Sequence, residues 1–275
     1  MKVKIAVAQP LAFRGNESVK NLEQAKQLIE EAARQGAKII CFPEGYPGPY
    51  SFLPDYSPVE AICKKCAESK IYCLSGGLEK SEDGKAFYVV QHMIGPDGKI
   101  LGTYRRTTPM GPYVYHDIPD WGFDYVAGEE LQVYDTPFAK IGVLMCSEVY
   151  TPELARVLVL KGAEIIFYPS GALINELMPT WKVMVRARAI ENLAYTAACQ
   201  NIYGVEDGVG IIAGPEGIIA ENTNPCLMIA DLDMDRMHWL RGQDEVVEMP
   251  KQYRVVPGTL KWRRPDIYKK NCKDW

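Results

Sequence analysis

Apolar and polar positions along the chain fall into two alternating kinds of period. Lys2 to Gln9 sets lysines against apolar residues and predicts a short strand, while Asn16 to Arg34 places Leu22, Ala25, Leu28, Ile29 and Ala32 at helical spacing with acids and bases opposite. Gly36 ends that helix, Ala37 to Phe42 predicts a buried strand, and Pro43-Glu44-Gly45-Tyr46-Pro47-Gly48-Pro49 is dense in turn formers. The unit is strand, helix, strand, loop, as in a sheet with crossover helices.

The same unit returns later. Lys140 to Met145 echoes Lys4 to Gln9, a helix runs from Pro152 to Lys161, and Gly162 ends it. Ala163 to Gly171 then matches Ala37 to Gly45 in the pattern G-A-x-I-I-x-x-P-x-G. Two buried strands after glycine-capped helices can converge on such a pattern, but its length favours internal pseudo-symmetry, with two sheets packed together and helices outside. Between the halves, strands are expected at Ile71 to Gly77, Phe87 to Ile94 and Lys99 to Arg105, the last two joined by a turn at Pro96-Asp97-Gly98. Arg106 to Glu130 shows no clear period, and a loop that long in a compact domain is usually functional. Further on, Trp181 to Asn192 predicts a helix and Leu193 to Asn201 a strand. A hairpin is expected around Pro215-Glu216-Gly217, and Leu227 to Asp233 closes the sheet. No linker divides residues 1–275, so one α/β domain is expected.

Composition narrows the function classes. The chain is 47% hydrophobic with a formal charge of −4, which fits a globular protein with no general pull toward nucleic acid or anionic membrane. The basic end at Lys261, Arg263, Arg264, Lys269, Lys270 and Lys273 is interrupted by Trp262, Pro265 and Asp266 and reads as a solvated tail. The N-terminus lacks the apolar core of a secretory signal, and no apolar run approaches membrane-span length. Eight cysteines in such a chain suggest reduced thiols, so a cytoplasmic location is expected.

Two reactive side chains follow predicted strand ends, where ligands gather in sheets of this kind: Glu44 after Phe42, and Cys146 after Met145. A cysteine attacks only as thiolate and needs a base or a positive neighbour. His92 lies within a strand, His238 sits late beside Trp239, and only His116, in the long loop, competes for that role. A carboxylate buried in apolar surroundings can serve instead, and Glu44 suits this. Taken singly, a cysteine after an apolar strand is usually core, and a glutamate after a strand is usually a solvated turn. Cys63-Lys64-Lys65-Cys66, with Cys73 beyond, has metal-like spacing, but no second pair or histidine completes a zinc site.

At these residues the sequence resembles the nitrilase, or carbon–nitrogen hydrolase, superfamily over nearly its whole length. The likeness is carried by Ala6-Val7-Ala8-Gln9, Cys41-Phe42-Pro43-Glu44, Leu101-Gly102-Thr103-Tyr104-Arg105 and Gly142-Val143-Leu144-Met145-Cys146-Ser147-Glu148. It continues through Pro152-Glu153-Leu154-Ala155-Arg156, Arg186 to Asn192 and Arg264-Pro265-Asp266-Ile267-Tyr268. The resemblance implies a four-layer αββα sandwich and a cofactor-free hydrolase. Glu44 would take the proton of Cys146, the thiolate would attack an amide, carbamoyl or nitrile carbon, and the Ser147 backbone N–H would help to hold the oxyanion.

Two positions depart from the family pattern. Tyr104-Arg105-Arg106 puts arginine where the family has its catalytic lysine, so Arg106 is expected either to keep the electrostatic role or to clamp a substrate carboxylate. The family's second glutamate falls near Asp120 and Trp121. Asp120 would replace it with shorter reach, or Trp121 would line the pocket. Tyr113 and Glu148 are the remaining substrate-binding candidates. The leading expectation is an amidase or carbamoyl-amidase acting on a small molecule. The alternatives are nitrile hydrolysis, acyl transfer to an amine, or a catalytically impaired binding protein. The resemblance also implies a homodimer or higher homo-oligomer, paired through the helix after Pro152 and the C-terminal segment.

Overall fold

The computed structural model describes residues 1–48, 56–109, 124–171, 175–203, 208–242 and 263–272. Strand β1 (Lys2–Gln9) leads through a 3-10 turn (Gly15–Val19) into helix α1 (Lys20–Arg34) and then β2 (Ile39–Cys41). Helix α2 (Pro58–Ser69) precedes β3 (Tyr72–Lys80), β4 (Ala86–Ile94), β5 (Ile100–Arg105), β6 (Asp124–Tyr125) and β7 (Val133–Asp135). The second half runs β8 (Lys140–Val143), a 3-10 turn (Cys146–Tyr150), α3 (Pro152–Leu160), β9 (Ile165–Ser170), α4 (Met178–Asn192) and β10 (Tyr195–Gln200). It ends with β11 (Gly210–Gly214), β12 (Gly217–Asn222), β13 (Cys226–Asp233), α5 (Met234–Gly242) and a C-terminal helix at Pro265–Asn271.

The strands form two sheets of like construction. One has the order β13-β1-β2-β3-β4-β5 with β6 beside β4, and the other β12-β11-β10-β9-β8-β7. In the first, β1, β2 and β3 are mutually parallel while β4, β5 and β13 run antiparallel to their neighbours. In the second, β8, β9 and β10 are parallel while β11, β12 and β7 run antiparallel. The repeat read in the sequence is therefore a repeat of topology: β1 and β2 correspond to β8 and β9, with Ile5 paired to Ile39 and Ile141 to Ile165.

Alternation along the strands divides the core. In the first sheet Val3, Ile5, Val7, Ile39 and Cys41 face the second sheet, in one cluster with Ile141, Val143, Ile165 and Phe167. Their neighbours Ala6, Ala8, Ile40 and Phe42 face outward against Ala25, Ile29 and Ala32 of α1 and Ile62 and Cys66 of α2. Full burial of one such isoleucine is worth about 1.5–3 kcal/mol. On the far side, Ala155 and Leu158 of α3 and Trp181 and Val185 of α4 close the second sheet, giving the four layers. The α4 side is pinned by a hydrogen bond from Thr196 Oγ1 to the Val185 carbonyl (3.0 Å).

Most expected elements fall where the periodicity puts them. The first helix is shorter than expected, because Gly15–Val19 is wound as 3-10 turn. Helix α5 had no period to reveal it, and tertiary contacts hold it. Met234, Met237 and Leu240 are buried, and Arg241 donates to the carbonyls of Leu193 (2.7 Å) and Ala163 (2.8 Å). Among the described residues no helix is long and apolar enough to cross a membrane.

Candidate active site

The loop after β2 holds Glu44 from both sides. Gln91 Nε2 donates to the Phe42 carbonyl (3.0 Å), and Asn201 Nδ2 donates to the Glu44 carbonyl (3.2 Å). The Tyr46 ring stacks on Phe42 with centroids 5.4 Å apart, and its hydroxyl donates to Gln24 Oε1 (2.7 Å). Strand β3 passes so close that a Cβ on Gly76 would lie 2.4 Å from the Gly45 nitrogen, so only glycine fits there.

Arg106 follows the end of β5. Its N–H donates to Val89 (2.9 Å), and its carbonyl accepts from Gly128 (2.8 Å). Gly128 has no room for a side chain, because a Cβ would lie 2.3 Å from the Arg105 carbonyl oxygen. The guanidinium reaches inward, where NH1 donates to Glu44 Oε1 and NH2 to Ser147 Oγ, both at 2.6 Å. The Arg106 and Glu44 side chains are 0% and 3% exposed, so this is a fully desolvated ion pair. Removing one partner of such a pair typically costs about 3–5 kcal/mol, because the other charge stays buried.

Cys146 stands at the turn beyond β8 with φ +48°, a left-handed conformation that non-glycine residues rarely adopt. Such a position costs on the order of 1–3 kcal/mol and persists only where the surroundings impose it. Here the turn swings the thiol toward Glu44 and Arg106. The Gly171 N–H donates to Glu44 Oε2 (3.2 Å), and Glu44, Arg106 and Gly171 all lie close enough to Cys146 to act on its thiol. Burial pushes the thiol up to about 12 and the Glu44 carboxylate adds to the rise, while Arg106 and the N–H groups of Gly171 and Ser147 oppose it. The resting state is a thiol beside a guanidinium–carboxylate pair, and a reacting thiolate needs its proton taken at the moment of attack.

Of the histidines, His92 Nδ1 lies 2.9 Å from Thr103 Oγ1 and His238 pairs with Glu164, while His116 lies outside the described residues. Asp120, Trp121 and Tyr113 also lie outside them. Ser147 is at the site through its hydroxyl on Arg106. The second reading of Arg106, as a carboxylate clamp, meets a guanidinium whose two terminal nitrogens already hold Glu44 and Ser147.

Glu148 corrects an expectation. It is fully buried, and both carboxylate oxygens accept from protein donors, so it does not face a substrate. The physical reason is the 3-10 winding of Cys146–Tyr150, which turns a residue two positions on away from the thiol. Gly171 and Asn201 escaped the sequence reading as site residues, although Gly171 occupies the repeat position of Gly45. Tyr150 was missed as well. Its phenol is raised by burial and by the nearby Cys146, and its ring meets Trp181 at 6.4 Å. The Cys63 and Cys66 pair lies on α2 as free thiols, with Cys66 in hydrogen-bond contact with Cys73, whose thiol burial pushes well up. Among the described residues no group of three His, Cys, Asp or Glu side chains is arranged to hold a metal.

A family model described as carbon–nitrogen hydrolase matches residues 4–241 of the chain. An omega-amidase from Mus musculus is 26% identical over 261 residues, covering 89% of this chain and 93% of its own. One from Danio rerio is 29% identical over 270 residues, covering 91% of each. Among solved structures, a carbon–nitrogen hydrolase from Helicobacter pylori superposes with a TM-score of 0.78 at 20% identity, covering 98% of both chains. A nitrilase-superfamily amidase from Nesterenkonia superposes at 0.75 with 20% identity, covering 98% of this chain and 96% of its own. A glutamate-to-glutamine mutant of that amidase, with TM-score 0.75 and 19% identity over 98% of this chain and 96% of its own, has the acetamide moiety of fluoroacetamide added covalently at the active-site cysteine.

Proposed function

The chain belongs to the carbon–nitrogen hydrolase family, and on that premise we propose that it hydrolyses a small amide or carbamoyl compound through a Cys146 acyl-enzyme. Glu44 takes the thiol proton as the sulfur attacks the carbonyl carbon, and the oxyanion meets the Ser147 N–H and the Arg106 field. Collapse breaks the carbon–nitrogen bond, and the proton held on Glu44 leaves with the amine. Water then gives its proton to Glu44, attacks the thioester and releases the carboxylic acid and the free thiol. The observation that carries this reading is the left-handed Cys146 turn beside the buried Glu44 carboxylate and the Arg106 guanidinium.

The omega-amidases among the relatives favour amides as substrates. Arg106 supplies the positive charge that the family draws from lysine. Being fixed and always charged, it stabilises charge without donating a proton.

A second reading has its own observation. The Arg106 guanidinium occupies Glu44 Oε1 at 2.6 Å, an arrangement that an impaired member binding without turnover would also show. Incubation with a panel of amides, followed by mass spectrometry, separates the two. Hydrolysis expects an adduct on Cys146 and release of ammonia or amine, and Glu44→Gln should suppress the release. Binding without any adduct or amine release favours the second reading. A homodimer would suit the exposed Val157 and Leu160 of α3 with Ile267 and Tyr268 of the C-terminal helix, and sedimentation tests it.

A further inference from the structure

We infer that Glu148 is a positioning residue, a strut that sets the separation between the guanidinium and the nucleophile. The inference rests on the reading of Cys146 as nucleophile and Arg106 as its electrostatic partner. These residues arrive from different sheets, Arg106 from the end of β5 and Cys146 from the end of β8. The Glu148 carboxylate is where the two strand ends meet. Its Oε2 accepts from the Met145 N–H (2.6 Å), the residue before the nucleophile, and from the Tyr104 hydroxyl (2.7 Å), two residues before Arg106. Its Oε1 accepts from the Thr107 N–H (2.8 Å) and hydroxyl (2.5 Å), the residue after Arg106, and from the Thr108 N–H (3.3 Å). One side chain thus ties the Tyr104 hydroxyl before Arg106 and the backbone after it to the backbone that launches Cys146.

The chemistry of the donors makes the carboxylate irreplaceable. Three of the five are backbone N–H groups, which cannot turn into acceptors. A glutamine at 148 has the same shape, but in either orientation its NH2 would confront at least one of them. Buried unpaired donors cost about 1–3 kcal/mol each, and the strut would slacken at the joint it holds. The strands themselves are secured elsewhere, β5 by its ladder with β4 and β8 by its ladder with β9. Loss of the strut should therefore leave a folded protein with Arg106 displaced against Cys146, and a displacement of about 1 Å in a reacting geometry can cost about 100-fold in rate.

The test combines thermal melting, mass-spectrometric rates of Cys146 alkylation by iodoacetamide, and turnover of a simple aliphatic amide that the unaltered chain hydrolyses. Glu148→Gln is expected to melt cooperatively, to alkylate Cys146 about tenfold more slowly, and to lose about 100-fold in kcat while KM stays within about threefold. Tyr104→Phe and Thr107→Val each remove one donor and should slow alkylation by about threefold. A folded Glu148→Gln chain with unaltered alkylation and kcat overturns the inference. If that variant does not fold, unaltered alkylation in both single-donor variants overturns it equally. An unaltered chain whose Cys146 reacts no faster than its other cysteines overturns the nucleophile reading beneath it. A fast Cys146 indifferent to all three substitutions overturns only the strut.

Discussion

The two halves of the molecule are built alike and employed differently. The loop after β2 reads Pro43-Glu44-Gly45, and its counterpart after β9 reads Pro169-Ser170-Gly171. Glu44 binds Arg106 and Gly171, whereas the Ser170 hydroxyl turns back on the Tyr168 carbonyl of its own strand at 3.3 Å. The contrast reverses at the first strand of each half. There β8 leads into Cys146 in a left-handed turn, while the matching position after β1 is Pro10, whose carbonyl accepts from Ile202 (3.0 Å). Each half thus supplies one reactive group and one inert counterpart. The counterparts still matter to the scaffold, since Gly171, the inert loop's last residue, gives the N–H that steadies the Glu44 carboxylate. A duplicated framework makes a site by keeping the strand ends and varying what stands on them.

Substitutions at matched positions test that contrast, with the largest effect expected at the nucleophile. Cys146→Ala should remove turnover to background, a loss on the order of 10⁴-fold or more, whereas Pro10→Ala should leave kcat within about twofold and change stability by only about 1 kcal/mol. Steady-state kinetics and melting of both variants decide it, and comparable losses would dissolve the distinction between the halves. Next comes the base. Glu44→Gln should lower kcat by about 10²–10⁴-fold, and Ser170→Ala by no more than about twofold.

Arg106→Lys is milder. An ammonium keeps the charge but cannot span Glu44 Oε1 and Ser147 Oγ as the guanidinium fork does, so kcat should fall by about 10–100-fold with the fold retained. Kinetic parameters that do not change at all would deny Arg106 any special part.

The smallest effect is on stability at high pH. Burial lifts the Cys146 thiol to about 12, so the folded chain holds that proton more tightly than the unfolded one. The thiol's contribution is intact below the unfolded value of about 8.5 and is lost as pH rises from there through about 12, by up to about 1.4 kcal/mol per unit. Cys146→Ala should therefore flatten the decline of melting temperature above about pH 9, and Pro10→Ala should leave it unchanged. An equally steep decline in both would place the titration elsewhere.

Much of the fold was legible because it is written locally. The apolar spacing of Leu22, Ala25, Ile29 and Ala32 marks α1, and the alternation in Lys2–Gln9 marks β1 to the residue. The repeated G-A-x-I-I-x-x-P-x-G predicted β2 and β9, and with them two equivalent halves. Short pieces left no period to read, among them β7 at Val133–Asp135 and the two-residue β6. Within the site, Glu44, Cys146, Arg106 and Ser147 stood out by their places at strand ends and by resemblance. The direction of Glu148 did not, since two residues of sequence separation from Cys146 say nothing of which way a 3-10 turn points its side chain.

By itself, then, the sequence determined the strand and helix units, their duplication and the family, because each depends on periods and motifs within a few turns of chain. Tertiary structure alone decided what those residues do to one another. Arg106 meets Glu44 across 62 positions, Ser147 across 41, and Gly171 reaches Glu44 across 127. Arg106 and Glu44 meet only once β2 to β5 have formed one sheet, and Ser147 and Gly171 join them only once the second sheet has packed against it. Packing is what raises the Cys146 thiol, desolvates the ion pair and turns the Glu148 carboxylate inward onto Met145, Tyr104 and Thr107.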